Sequence, residues 1–198
     1  RVSTGELLAT LVGHTNYLLR VAISSDGSKV ATTGYDSTAR IWDAATGTLL
    51  HTIPTTNSAY VAFSPDDARL AIKTSNQLTV VDSETGATIG SWPLSGVFVG
   101  ELHWTPDGAG IIGRANLSGQ ILGVWSCTTG ELIRTIATVA NNSGPVLSPD
   151  GAKIAVGLSG STRIYDYASG NLIQTLPVSA PGLTFSENGQ AMIVLGDK

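Results

Sequence analysis

The sequence predicts an all-β fold assembled from a single unit of about forty residues, repeated along the chain. Three markers predict it. The turn signal Ser25-Asp26-Gly27 returns as Ser64-Pro65-Asp66, Thr105-Pro106-Asp107-Gly108, Ser148-Pro149-Asp150-Gly151 and Ser186-Glu187-Asn188-Gly189, so that Asp26, Asp66, Asp107, Asp150 and Asn188 follow one another by 40, 41, 43 and 38 residues. A second signal runs in step with it: Thr4-Gly5, Thr46-Gly47, Thr85-Gly86, Thr129-Gly130 and Ser169-Gly170. Between the two lies a strand ending Ile41-Trp42-Asp43, Val80-Val81-Asp82, Val124-Trp125-Ser126 or Ile164-Tyr165-Asp166. No helical period of useful length competes with this pattern.

The first unit shows why each element forms. An apolar-rich strand, Leu19 to Ser24, stops at Ser25-Asp26-Gly27, where Asp tolerates turn geometry and Gly supplies positive φ. A second strand, Lys29 to Thr33, ends at Gly34-Tyr35-Asp36; a third, Thr38 to Asp43, gives way to Ala44-Ala45-Thr46-Gly47; a fourth, Thr48 to Ile53, precedes Pro54. Short strands at roughly ten-residue spacing read as one antiparallel meander. Residues 6–11 read as a fourth strand belonging to a unit upstream, and Gly182–Ser186 with Gln190–Leu195 as the first two strands of a last unit.

Gly13-His14, Asp36, Ile41-Trp42-Asp43 and Thr46-Gly47, in that order and spacing, resemble one complete WD40 repeat, the four-stranded blade of a β-propeller. The period extends the resemblance over essentially the whole chain, although only the first repeat keeps the full signature. It implies a fourth strand of a preceding blade in 1–12, blade one in 13–53, blade two in 54–93, blade three in 94–136, blade four in 137–176 and two strands of a further blade in 177–198. About five blades are thus represented. Seven is common in the family, so the expectation is part of a seven-bladed ring completed by further blades of a longer chain. A five-bladed ring with an imperfect seam and a propeller completed by a second chain stay open.

The resemblance also assigns His14, Thr32, Asp36 and Trp42 to the family's structural tetrad. Histidine bonds a hydroxyl on the second strand and an aspartate in the next turn, and the indole N–H joins the same network. Polar groups inside a blade each need a partner. A His, a hydroxyl and an Asp could instead suggest a hydrolase triad, but no nucleophile-elbow motif accompanies them. The other repeats lack the set: Ile72 stands where Thr32 does, Val81 where Trp42 does, and Ser126 replaces the terminal Asp of the third strand.

Composition narrows the function. The chain has 198 residues, 42% hydrophobic and only 13% charged, long enough for a sizeable core. A net charge of −4 without a Lys/Arg cluster argues against nucleic acid or an anionic membrane as partner. No apolar run reaches transmembrane length, and the first residues do not resemble a secretory signal. Cys127, the single cysteine, has no internal disulfide partner, which favours a reducing, cytoplasmic setting. His14, His51 and His103 are far apart in sequence, so no metal site is expected, and phosphate-loop and dinucleotide motifs are missing, so no cofactor is expected.

The resemblance therefore implies a non-catalytic scaffold that binds a protein or peptide, as a domain of a larger signalling or assembly protein. Family partner contacts often come from the loops before the first strand and between the second and third. Carried over by position, these are Tyr17, Leu19 and Tyr35 in blade one, Asn57 and Ser75 in blade two, Phe98 in blade three and Asn141 in blade four. Exposed aromatics there would form a hot-spot group, and their alternative role is packing between blades. Two other classes are open. A carbohydrate-binding, lectin-like propeller predicts one residue set repeated in every blade, which Tyr17, Asn57, Phe98 and Asn141 do not form. A propeller enzyme or sensor predicts convergent titratable groups in the central tunnel, where the innermost triplets such as Val21-Ala22-Ile23 and Leu102-His103-Trp104 supply His103 alone.

Overall fold

A computed structural model describes residues 3–56, 59–94, 97–116, 120–138, 144–179, 182–186, 188–189 and 191–195. Every regular element among them is a strand. The first meander comprises β1 (Leu18–Ile23), β2 (Lys29–Gly34), β3 (Thr38–Asp43) and β4 (Leu49–Pro54). The second comprises β5 (Tyr60–Phe63), β6 (Arg69–Lys73), β7 (Gln77–Asp82) and β8 (Thr88–Pro93). The third has β9 (Val97–Trp104), β10 (Gly110–Asn116), β11 (Gln120–Ser126) and β12 (Leu132–Thr138); the fourth has β13 (Val146–Leu147), β14 (Lys153–Leu158), β15 (Ser161–Asp166) and β16 (Leu172–Leu176). A last pair, β17 (Gly182–Phe185) and β18 (Met192–Leu195), follows. Each sheet is ordered as the chain runs, with antiparallel neighbours. No helix of the described residues is long and apolar enough to cross a membrane.

Residues 6–12 form no strand among the described residues. A strand exists only as part of a ladder, and no described strand pairs with this segment. Its position still resembles that of a fourth strand, because a Cβ on Gly47 would meet Thr10 O at 2.9 Å and Ala9 Cβ at 3.4 Å. The fourth-strand residue His51 lies in the same way over the Gly86 turn of the next blade.

The turn chemistry is the same in every repeat. Ser24, Ser64, Thr105, Ser148 and Ser186 each donate a hydroxyl to the Oδ1 of Asp26, Asp66, Asp107, Asp150 or Asn188 two residues on. Each hydroxyl oxygen also accepts the amide five residues on, as in Lys29 N to Ser24 Oγ at 2.8 Å. At the hairpin joining third and fourth strands, Asp43, Asp82 and Asp166 accept both the amide and the hydroxyl of Thr46, Thr85 and Ser169. Ser126 takes that place in blade three and accepts the Thr129 amide.

The chain divides into two compact units, Arg1–Pro93 and Leu94–Lys198. In the first, Ala31, Ala39, Ile41 and Ile53 of blade one pack on Ala59, Leu70, Ile72 and Val81 of blade two. Residues of one parity along each strand face the neighbouring sheet, as a period of two requires. In the second unit, Ile112, Leu122, Val124 and Ile136 of blade three meet Ile154, Val156, Leu158 and Tyr165 of blade four. Fourth-strand side chains then clamp the next blade. The Nε2–H of His51 donates to Glu84 O at 2.7 Å, and the Arg134 guanidinium donates to Ala168 O at 2.5 Å and Tyr167 O at 2.7 Å.

Candidate functional site

Blade one carries a closed polar network. Register alone brings two of its members together: Thr32 pairs with Arg40 across β2 and β3, and Val30 with Trp42, so the Thr32 and Trp42 side chains share one face. The Trp42 indole N–H donates to Thr32 Oγ1 at 2.8 Å. Thr32 Oγ1 lies 2.7 Å from His14 Nε2, and His14 Nδ1 lies 2.8 Å from Asp36 Oδ2. A carboxylate only accepts, so Nδ1 carries the proton; Nε2 of the neutral ring then accepts from the Thr32 hydroxyl, whose oxygen is left to receive the indole. Every group in this network has a partner.

Asp36 is the anchor of this network. Its side chain is 5% exposed, and burial works against its charge. The Thr38 hydroxyl, the Thr15 amide and His14 nonetheless hold the carboxyl well below the usual carboxylate range. Arg40 closes the site from outside, with Nη2 3.6 Å from Asp36 Oδ2 and its guanidinium 5.9 Å from the Trp42 ring. Gly13 permits this approach, since a Cβ there would collide with Arg40 Nη1 and stand 3.1 Å from the indole. The proton relay of a triad is formally present. However, the hydroxyl that would be the nucleophile is 3% exposed and is already committed to His14 and Trp42. The network's work is to hold the loop before β1 on the turn before β3.

That loop presents the aromatic residues. Tyr17 is 81% exposed and Tyr35 48%, and the Tyr35 amide donates to Tyr17 O at 2.9 Å, which ties the two loops together. Leu19 and Tyr35 line a cavity of about 200 Å³ with Arg20, Ala59 and Tyr60. Three of the sequence-derived positions, Tyr17, Leu19 and Tyr35, therefore come together on blade one. Ser75 is exposed in the turn after β6 and does not line this cavity. Phe98 lies on β9 opposite Ala115, and its side chain, like Asn57 and Asn141, falls outside the described residues.

Sequence reasoning missed Arg20 and Tyr60. Both sit six residues before a turn aspartate, Asp26 and Asp66, at the same repeat position. They lie one residue upstream of the triplets read as innermost. A search of every repeat position for paired cations and aromatics would have found them. The repeat position seven residues after each turn aspartate, Asp26, Asp66 or Asp107, buries polar side chains: Thr33 (0% exposed), Lys73 (3%) and Arg114 (8%). In the second unit, burial pushes the Arg114 guanidinium below its ordinary value, and its Nε has no hydrogen-bond partner. Among the described residues no group of three or more His, Cys, Asp or Glu could hold a metal ion.

Four-stranded antiparallel blades with recurring turns, and with apolar faces packed blade on blade, define an all-β propeller fold. A solved structure, Kuenenia stuttgartiensis hydrazine synthase, superposes with a TM-score of 0.73 over 95% of this chain and 58% of that one, at 19% identity. At that identity the likeness concerns the fold. The family model described as WD domain, G-beta repeat matches residues 5–43. Among curated proteins, the small ribosomal subunit protein RACK1 of Schizosaccharomyces pombe is 29% identical over 137 residues, 64% of this chain and 43% of that protein. WD repeat-containing protein slp1 of the same organism is 27% identical over 80% of this chain and 35% of its own length. An uncharacterized WD repeat-containing protein of Synechocystis, sll1491, is 43% identical over 35% of this chain and 21% of its length. The chain thus resembles WD40-repeat proteins, with residues 5–43 matching the repeat itself, and it spans less than half the length of these curated relatives.

Proposed function

We propose that this chain is a non-catalytic interaction scaffold whose blade-one loops bind a protein or peptide partner. The observation that carries the reading is the joined pair Tyr17 and Tyr35. Both are exposed aromatics, hydrogen-bonded loop to loop, and held over a network in which every polar group is satisfied. Rigid aromatics lose little entropy on binding and dominate hot spots. Leu19 and Ser75 belong to the same proposed face, and Asn57, Phe98 and Asn141 hold the matching positions of their repeats in the sequence. The relatives include proteins named for the small ribosomal subunit, which supports protein partners and an intracellular, cytoplasmic setting. No nucleic-acid or membrane partner is proposed, because net charge is −4.

We also propose that further blades cover the open face of blade one. That face exposes Val21 by 66% and Ile23 by 65%, and exposed apolar surface of this kind calls for a cover. The relatives' greater length supports blades from the same longer protein, with a second chain as the alternative. Within such a protein the proposed role is one domain of a signalling or assembly factor.

A photo-crosslinking side chain placed at Tyr17 of the full-length protein, in its own cells, tests the scaffold reading. Discrete protein adducts are expected, and they should fade when Tyr35 is changed to Ala. The same probe placed at Ile89, exposed on β8 of blade two, serves as control. Adducts identical at the two positions would overturn the reading.

A further inference from the structure

Arg20 lies beside Leu19 and Tyr35 at the edge of the proposed interaction face. Its guanidinium carbon stands 4.5 Å from the centre of the Tyr60 ring. Its Nη2 donates to the Tyr60 hydroxyl at 3.0 Å and its Nη1 to Leu19 O at 2.8 Å. Lys73, cross-strand neighbour of Tyr60, puts its ammonium 4.6 Å from the same ring. Two cations thus share one aromatic ring, on elements from two blades. The floor is fixed as well, since the buried Thr33 hydroxyl of blade one donates to Ala59 O in blade two at 2.9 Å.

Arg20 forms no ion pair among the described residues. Nearby, His14, Lys29, Arg40 and Arg69 each meet a carboxylate. An exposed arginine without a carboxylate is usually a solvated side chain. This one differs in being stacked and doubly hydrogen-bonded, which removes most of its rotamer freedom before any ligand arrives. A guanidinium has five N–H donors, and two protein contacts leave donors for a bidentate acceptor. Beside it the cavity of about 200 Å³ offers Leu19, Tyr35 and Ala59 as walls.

We infer that Arg20, stacked on Tyr60 at the cavity between blades one and two, receives a carboxylate from an acidic side chain of the partner, with an adjacent apolar side chain seated against Leu19 and Tyr35. The inference rests on the scaffold reading and names the chemistry of its partner segment. A carboxylate fits better than a phosphate monoester: the planar fork matches two oxygens in one plane, and among the described residues Arg20 is the one cation that lines the cavity, Lys73 being buried against the Tyr60 ring.

The test uses three acetylated, amidated tripeptides, Phe-Glu-Leu, Phe-Gln-Leu and Phe-phosphoserine-Leu, titrated into the full-length protein while the arginine Nε–Hε resonances are followed by NMR. Phe-Glu-Leu should shift the Arg20 resonance saturably and bind about tenfold more tightly than Phe-Gln-Leu, a ratio that should shrink in Arg20→Gln. Tyr60→Phe keeps the ring but removes the hydroxyl that orients Arg20, and should weaken Phe-Glu-Leu about threefold. Equal binding of the Glu and Gln peptides, or no saturable shift at Arg20, would overturn the inference. So would phosphoserine binding more tightly than Glu. Crosslinks at Tyr17 with no peptide selectivity would leave the scaffold reading standing and remove only this site.

Discussion

Asp67 of blade two caps Ser25 of blade one. Its Oδ1 accepts the Ser25 amide at 2.8 Å and its Oδ2 the following amide, of Asp26, at 3.0 Å. To do so Asp67 holds a φ of 57°, the left-handed region occupied at the matching turn by Gly27, Gly108 and Gly151. A side chain there costs about 1–2 kcal/mol, and two bonds from the carboxylate to another blade's turn offset it.

Asp67→Ala should therefore lose the cap and keep the strain, destabilising the unit by about 1–3 kcal/mol. Asp67→Gly loses the same bonds but sheds the strain, so its loss should be smaller by about 1 kcal/mol. Urea midpoints of the two variants give the comparison. Equal midpoints would mean that the left-handed turn carries no strain.

Thr32 is the hinge of the blade-one network, taking the indole N–H and facing His14 Nε2. Thr32→Val keeps the shape and strands two buried polar groups, with an expected cost of about 2–4 kcal/mol. Thr32→Ser keeps the hydroxyl and should cost about 1 kcal/mol or less. Denaturation followed by Trp fluorescence, with hydrogen exchange of the Trp42 indole, would show the difference.

Acid should loosen the chain. Asp36 is held far below its ordinary value despite burial, by Thr38, the Thr15 amide and His14. Asp26 is lowered to about 2, chiefly by the Ser24 hydroxyl and then by the Ser28 amide. Both groups have depressed folded values, so the unfolded chain binds more protons below about pH 4. Their stabilisation is complete above that point and is lost as pH falls toward 2 and beneath. The thermal midpoint should stay flat from pH 7 to about 5 and drop steeply below 4. Asp36→Asn, whose network is already weakened, should start lower and drop less.

Two glycines separate backbone strain from packing. Gly27 and Gly86 have φ of 71° and 70°. A Cβ at Gly27 would meet nothing within 4 Å, whereas at Gly86 it would sit 2.7 Å from His51 Nδ1. Gly27→Ala should cost about 1–2 kcal/mol from strain alone. Gly86→Ala should cost more, and adding His51→Ala should recover part of the excess. A double-mutant cycle on unfolding free energies checks this, and additive losses would show that His51 does not press on that turn.

Much of this molecule is legible in its sequence. The strand plan followed from turn residues whose side chains bond their own backbone two to five residues away. Ser24 with Asp26 and Lys29, or Asp43 with Thr46, is such a set. Strand pairing then carried Thr32 and Trp42 to one face. The segment 6–11 was not readable in the same way. Its place in the repeat is that of a fourth strand, but a strand is a relation between two segments, and none of the described strands pairs with it.

The sequence by itself determined the repeat, the meander and the Ser-Asp and Asp-Thr bonds of its recurring turns, because those interactions close within one hairpin and depend only on local spacing. Tertiary structure alone decided that Tyr17 and Tyr35 stay exposed, that Arg20 stacks on Tyr60 forty residues away, and that Asp67 reaches back to Ser25. These contacts join different sheets. Their geometry depends on how two twisted sheets pack face to face, and alternation along a single strand marks two faces without saying what lies against either.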